Sequence, residues 1–499
     1  MGTKSKATLL VLLLWVSSLV AAAGDGEPLA VEWIRPRIIK GPYLQNVKDD
    51  GITVMWETNL FLPSRVDYGV TSYEHSVVDT TATRIHEVRL SGLTPDTLYH
   101  YKVASEDAVS ADSTFRTATE GPVFSFLVYG DTRTFPENHR AVINAMIANN
   151  PGTFVLHTGD IVDDGEEYRN WKREFFDPAS DLLRNTTLFT TPGNHEGDQV
   201  WYYRFFDMPM ENSGTESYYS FRYGDSHFIG LNQYDDFVAG SAQYSWIESD
   251  LAAAESSARW IFVFFHQPPY TSGSHAGESR ALDTQTHLVP LFEQYGVDLV
   301  FSGHDHLYER SLKDCVSYIV AGGGGAPLSI PNQNYNPYQV YAERVHHHVK
   351  VDVLEDKVEV AAYRNDLSIL DEFEISDICA TPTPTATPGD TTPTPTPTPE
   401  GWVLLSGTYS SLLGGKDTLL RHFRDRYLKE APGGEASVRA FYANLPWLAE
   451  LARRDPIARQ LGAAILAPST LIAEYMVQKG TNSIANGGPL VFHIGPVTK

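Results

Sequence analysis

Phe301-Ser302-Gly303-His304-Asp305-His306-Leu307-Tyr308-Glu309-Arg310 follows an apolar run, 297–301, that reads as a buried strand halted at a glycine. Alternate residues of an extended segment point the same way, so His304 and His306 aim two imidazoles at one place. A lone His-x-His is also what a chance surface pair looks like. Its weight comes from four other strand ends built in the same manner.

The first is an apolar strand over 123–129 that ends in Gly130-Asp131-Thr132-Arg133. A helix is predicted after it over 138–149, with Val142, Ile143, Met146 and Ile147 at helical spacing. Strand 154–157 ends in Thr158-Gly159-Asp160, and strand 188–191 in Pro192-Gly193-Asn194-His195-Glu196. Strand 260–265 ends in His266-Gln267-Pro268-Pro269-Tyr270. Open α/β sheets carry their sites at the carboxyl ends of strands, so these five ends form one constellation. A Gly-Asp at one strand end is often only a turn or a cap. Five in this order point to a site.

Two hard cations a few ångströms apart require oxygen and imidazole ligands, with one carboxylate able to bridge them. Such a pair activates a bridging water and clamps the attacking and leaving oxygens of phosphoryl transfer. The order Gly-Asp, Gly-Asp, Gly-Asn-His-Glu, His, Gly-His-x-His is similar to that of calcineurin-like metallophosphoesterases. Residues 303–310 and 193–196 most resemble the purple acid phosphatase branch. The resemblance covers about 39–375 and implies a four-layer α/β/β/α sandwich with two metal ions, iron, manganese or zinc, at the edge of paired sheets. Position by position, it implies that Asp160 bridges, that Asn194, His266 and His304 complete one metal, and that Asp131 and His306 serve the other. His195 would face the phosphate, and His275, in Thr271-Ser-Gly-Ser-His275, would contact phosphate or donate a proton.

Two departures stand out. The wider superfamily has Asp-x-His at its first motif, where this chain has Arg133. Purple acid phosphatases compensate with a tyrosine three residues after the bridging aspartate, where this chain has Asp163. The first metal is therefore one ligand short. The Asp163 carboxylate lies about 4 Å nearer its own backbone than a tyrosyl oxygen would. His139, on the same loop at the start of the helix, is the preferred fourth ligand, with a helix-start surface residue as the alternative. Without a tyrosinate the protein is not expected to be purple. Arg133 cannot ligate a cation, but its planar fork suits a phosphate; a salt bridge to an aspartate is the other reading.

Around this core the chain of 499 residues divides by composition. A basic start, an apolar run over 7–20 and Ala21-Ala22-Ala23 read as a signal peptide over 1–23, so the protein is expected to be secreted or at the cell surface. Short alternating strands over 31–119 suggest an all-β sandwich. Its segment Gly92-Leu93-Thr94-Pro95-Asp96-Thr97-Leu98-Tyr99 resembles fibronectin type III domains, and similar domains precede the catalytic domain in plant-type purple acid phosphatases. The metallophosphoesterase domain is expected over 120–379. The Gly322-Gly-Gly-Gly325 run lacks the Lys-Ser/Thr of a nucleotide loop and reads as a close backbone approach. His346-His347-His348 reads as part of a late strand.

A Thr-Pro repeat over 380–400 is an extended spacer. Residues 401–499 turn helical and resemble a small C-terminal domain of secreted bacterial proteins, but lack its leading cysteine. This small helical domain is the expected point of any cell-envelope contact. With 38 Lys plus Arg against 62 Asp plus Glu, the net charge of −24 argues against a nucleic-acid surface. The two cysteines, Cys315 and Cys379, either form one disulfide or stay as separate buried thiols.

The expected protein is thus an exported two-metal hydrolase of phosphate monoesters, acting through a bridging hydroxide. Its partners would be phosphorylated small molecules or phosphoester polymers. A phosphodiesterase and a surface protein with purely structural metals are the alternatives; phosphate-facing His195 and His275 weigh against the latter.

Overall fold

The computed structural model describes residues 35–149, 152–197, 199–331 and 336–376. The leader, the Thr-Pro spacer, Cys379 and the helical tail expected from the sequence lie outside the described residues. Cys315 is disulfide-bonded.

The first domain is all-β. Strand β1 (Ile38–Gln45) pairs antiparallel with β2 (Gly51–Gly69), which also pairs with β3 (His75–Ser91) and β4 (Leu98–Ser105). Strands β5 (Ala108–Val109) and β6 (Ser113–Arg116) add to β4. Residues 52–56 and 64–68, which read in the sequence as two short alternating strands, lie in one continuous β2. Its ladder with β3 shifts register between Glu57 and Leu62 and again before Ser64. Pro63 has no N–H to give, so the strand bulges there and continues. Trp56, Val66, Tyr101 and Phe115 fill the interior of this domain.

The second domain stacks two sheets face to face. In one, β7 (Phe124–Tyr129), β8 (Phe154–His157) and β9 (Thr187–Thr190) run parallel; β17 (His347–Val353), β18 (Lys357–Arg364) and β19 (Ile369–Ser376) extend it antiparallel from β7. The other has the order β10 (Tyr219–Tyr223), β11 (Ser226–Gly230), β12 (Trp260–Phe264), β13 (Leu299–Ser302), β15 (Val316–Ala321), β14 (Tyr308–Lys313), β16 (Gln339–Glu343). Strands β11, β12, β13 and β15 are parallel, each buried on both faces, which explains their unbroken apolar sequences.

Aromatic rings interlock between the sheets. Phe126 lies edge-on to Phe262 at 5.5 Å and to Phe301 at 6.1 Å, and Phe154 to Phe228 at 5.3 Å. Helices cover the outer faces. Helix Pro136–Ala148 packs on one side, and Ala242–Glu255 and Val289–Gln294 on the other, where Ile247, Leu251 and Phe292 meet Val263 and Val300. The layers are α/β/β/α. The carboxyl ends of the parallel strands in both sheets open on the same edge, and the five motif loops leave from there.

Candidate metal centre

Three of the loop residues sit in left-handed backbone: Asp131 at φ 58°, Asp160 at 53° and His304 at 68°. Side chains rarely adopt this conformation, and where they do it turns the chain sharply. Here it folds each loop back over its own strand end. Close backbone approach makes room for the bends. A Cβ on Gly193 would lie 2.1 Å from Asp160 Oδ1, and one on Gly324 would lie 2.2 Å from the Gly130 carbonyl. The glycine run lets the 322–326 segment lie on the Asp131 loop, with Gly324 N–H donating to Gly130 O at 2.8 Å.

A first group of donors gathers at Asp160, Asn194, His266 and His304. His266 Nε2 is 3.2 Å from Asp160 Oδ1, 3.1 Å from Asn194 Oδ1 and 3.2 Å from His304 Nδ1. Each ring's far nitrogen is spoken for. His266 Nδ1 donates to the Thr158 carbonyl at 2.8 Å, and His304 Nε2 to Glu278 Oε2 at 3.2 Å. Carbonyl and carboxylate oxygens only accept, so the protons reside on those nitrogens and the facing nitrogens carry lone pairs. Four lone-pair donors then meet with no hydrogen between them. Without a cation a proton answers the same field: burial opposes charge on His266, but Asp160 raises it to about 9. Burial, with His266 alongside, drives His304 down to about 2. Asp160 is itself buried, yet His266 and His195 hold its carboxyl well below the usual range. This donor set fits a divalent ion.

A second group joins Asp131, Asp160 again, and His306. His306 Nδ1 donates to Pro327 O at 2.6 Å, which turns Nε2 toward Asp131 Oδ1 at 3.5 Å. The donor atoms of these three residues lie within 4.8 Å of one another. Arg133 sits among them. Its Nε is 3.3 Å from Asp160 Oδ2, its Nη1 3.1 Å from Asp163 Oδ1 and its Nη2 3.5 Å from His306 Nε2. The salt-bridge reading of Arg133 is the one the structure contains.

His139 is not part of the site, and the expectation that it completes the first metal is corrected. Its Nδ1 bonds the Glu174 carbonyl at 2.8 Å, its Nε2 lies 3.5 Å from Tyr129 Oη, and its ring stacks on Phe175. The helix starts at Pro136, so position 139 faces inward to the core beneath the loop. Burial keeps it neutral, down to about 4. Asp163 does not take its place: its Oδ1 is held by Arg133 and by Thr134 Oγ1 at 3.0 Å.

The rim is wetter than the floor. His195 is 24% exposed, with Nδ1 on the Asp163 carbonyl and Nε2 3.7 Å from Asp160 Oδ2. His275 lies against His304 with centroids 4.1 Å apart and the rings tilted by 43°, and its Nδ1 lies 2.8 Å from Glu278 Oε1, leaving Nε2 open.

Glu278 therefore ties a ligand candidate to a rim histidine. Sequence reading missed it, and its one local signal is the three-residue spacing from His275. Asp305, between the two histidines of the opening motif, points the other way and accepts from Thr271 Oγ1 at 2.8 Å and the His275 N–H at 3.3 Å. Glu196 braces two motif loops, accepting from the Ile161, Val162 and Gly193 N–H groups. Tyr234 brings its ring to 6.4 Å from His266 and keeps a buried hydroxyl without a hydrogen-bond partner. No motif marked it.

Residues 124–308 match the calcineurin-like phosphoesterase family, and residues 40–117 match the purple acid phosphatase N-terminal domain. The chain is 29% identical over 297 residues to probable purple acid phosphatase 20 of Arabidopsis thaliana, an alignment covering 54% of this chain and 68% of that one. It is 30% identical over 338 residues to purple acid phosphatase 13 of the same plant, covering 53% and 61%. With a phosphoenolpyruvate phosphatase of Allium cepa it shares 28% over 301 residues, covering 53% and 61%. The chain thus spans less than two thirds of the length of most of these relatives. In fold it resembles the purple acid phosphatase PPD1 of yellow lupin, with TM-score 0.59 and 20% identity over 69% of this chain and 77% of that one. PhoD follows at TM-score 0.53 and 11% identity over 67% and 89%. The match to these two families implies a dimetal centre. The Asn194 donor set fits its half of one; the Asp131 set, with a guanidinium among its donors, does not fit as it stands.

Proposed function

We propose that this chain, which carries a calcineurin-like phosphoesterase domain behind a purple acid phosphatase N-terminal domain, is an exported metal-dependent hydrolase of phosphate monoesters. One observation carries the reading: four lone-pair donors from four separate strand ends meet beneath two part-exposed histidines. Asp160, Asn194, His266 and His304 would hold a divalent ion, which supplies a Lewis acid and a low-pKa water. His195, anchored through Nδ1, presents Nε2 beside Asp160 to a phosphate oxygen. His275, with Nδ1 donating to Glu278, aims Nε2 at the leaving oxygen and, as the imidazolium, has a proton on Nε2 to give it, returning to the Nδ1–H neutral ring. Arg133 adds positive charge on the Asp131 side.

Small phosphorylated molecules are the proposed substrates, and the relative named phosphoenolpyruvate phosphatase supports that class. Placement outside the cytoplasm rests on residues 1–23. Among the described residues no helix is long and apolar enough to cross a membrane.

The test is hydrolysis of matched aryl phosphate mono- and diesters by metal-loaded full-length chain, with Asp160→Asn as control. Monoester turnover lost in the variant supports the reading. Preference for the diester would make it a phosphodiesterase, and turnover of neither would sink the proposal.

A further inference from the structure

We propose that the Arg133 guanidinium stands in for the first of the family's two metals, so that this chain works with one metal ion and one fixed organic cation. The inference rests on the phosphoesterase reading for its meaning, but not for its test.

Three observations carry it. The first is the donor count. The Asp131 group offers three residues, one of them shared with the neighbouring group, and neither candidate for a fourth faces it. His139 is bonded into the core, and Asp163 is turned to Arg133 and Thr134.

The second is where the guanidinium lies. Arg133 Nε approaches Asp160 Oδ2, the oxygen left over once Oδ1 faces His266. Its Nη2 points at His306 Nε2, whose lone pair is exposed because Nδ1 donates to Pro327 O. The arginine thus touches two of the three groups an ion would need.

The third is how firmly it is held. Asp163 and Thr134 flank Nη1, and the side chain is only 17% exposed. An arginine does not give up its proton, so its charge is permanent at any working pH. A divalent ion added among these donors would meet that charge at contact distance. An aspartate-x-histidine loop would instead bring a neutral imidazole and a further ligand to the same place.

The consequence for chemistry is a mixed clamp. On the Asn194 side Asp160, Asn194, His266 and His304 would hold a metal ion that supplies Lewis-acid contact to the phosphate. On the Asp131 side Arg133, with Nε at Asp160, Nη1 on Asp163 and Thr134 and Nη2 at His306, would offer a phosphate oxygen its fixed charge and its remaining Nη2 N–H.

Metal stoichiometry tests this independently of turnover. The full chain would be equilibrated with Mn²⁺, freed of excess and counted by elemental analysis, with electron paramagnetic resonance on the same sample. The expected result is about one ion per chain, with the spectrum of an isolated Mn²⁺. Arg133→His, which restores the aspartate-x-histidine pattern, is expected to take up about two and to show a spin-coupled pair. Two ions in the unaltered chain overturn the proposal without any variant. So does an Arg133→His chain, folded by circular dichroism, that still binds one. A single ion in a chain that hydrolyses no phosphoester would leave this inference standing and remove the proposed function instead.

Discussion

His304 Nε2 and Glu278 Oε2 lie 3.2 Å apart, and that contact decides which nitrogen of His304 faces the other metal-ligand candidates. An acceptor on Nε2 keeps the proton there and leaves Nδ1 as the donor toward a cation. Glu278 holds His275 with its other oxygen, so one carboxylate orients both rings.

Removing that carboxylate should weaken metal binding while leaving every ligand in place. Glu278→Ala is expected to lower Mn²⁺ affinity by about 10- to 100-fold, and Glu278→Gln, which keeps an acceptor oxygen, by much less. Competition against a chelator measures both. Equal affinity in Glu278→Ala and the parent would mean that the contact sets no tautomer.

If His275 gives its proton to the leaving oxygen, its loss should matter most where that oxygen is a poor leaving group. His275→Ala is expected to slow alkyl phosphate hydrolysis by about a hundredfold and to affect a nitrophenyl ester far less. Comparing kcat on the two substrates checks this. A uniform drop on both would reassign His275 to substrate binding.

Position 163, where purple acid phosphatases bear a tyrosine, holds an aspartate bonded to Arg133 and Thr134. The iron-loaded chain is therefore expected to lack the intense visible tyrosinate-to-iron band. An absorption spectrum of the reconstituted protein decides it. A purple sample would mean that another tyrosine has reached the metal.

Buried histidines away from the donors make the fold acid-sensitive. Burial lowers His86, His139 and His347 each to about 4. In the unfolded chain these rings take a proton below about 6.5, while the folded chain refuses it until about 4. Their contribution is present above the first value and is lost as pH falls through the second. Each displacement is worth on the order of 3 kcal/mol. Urea midpoints of metal-stripped protein should fall steeply between these pH values. A flat profile would show that the rings titrate normally.

The two domains share a buried ion pair. Lys40 bonds Glu57 inside the first domain, the Lys40 ammonium lies 3.8 Å from the centre of the Tyr168 ring, and Tyr168 Oη donates to the same Glu57. Lys40→Met leaves Glu57 buried with less compensation and is expected to cost about 3–5 kcal/mol. Adding Glu57→Leu should recover much of it, because two apolar groups then replace two charges. Chemical denaturation of single and double variants tests the coupling; strict additivity would refute it.

The sequence by itself determined the strand ends and the donors they bear. Each motif is local: an apolar run, a glycine, then a ligand residue within one or two positions. Such spacing survives whatever the rest of the chain does, and it located the five ligand-bearing strand ends; the layered sheets and the grouping of Asp160 with Asn194, His266 and His304 followed from the family resemblance that those motifs carry. The continuity of strand β2 escaped because Asn59 and Pro63-Ser64 look like a break when the ladder is unseen.

Tertiary structure alone decided where side chains point across large sequence separations. Whether His139 looks to the site or to the core depends on the helix starting at Pro136 and on a carbonyl at Glu174. Arg133 meets Asp160, Asp163 and His306 only because strands from both sheets end at one edge. Ring tautomers are set by partners as remote as Thr158, Glu278 and Pro327. Spacing reports which residues share a loop. Distance and direction between loops come from packing, and here packing put a guanidinium among the donors where the motif suggested a second metal.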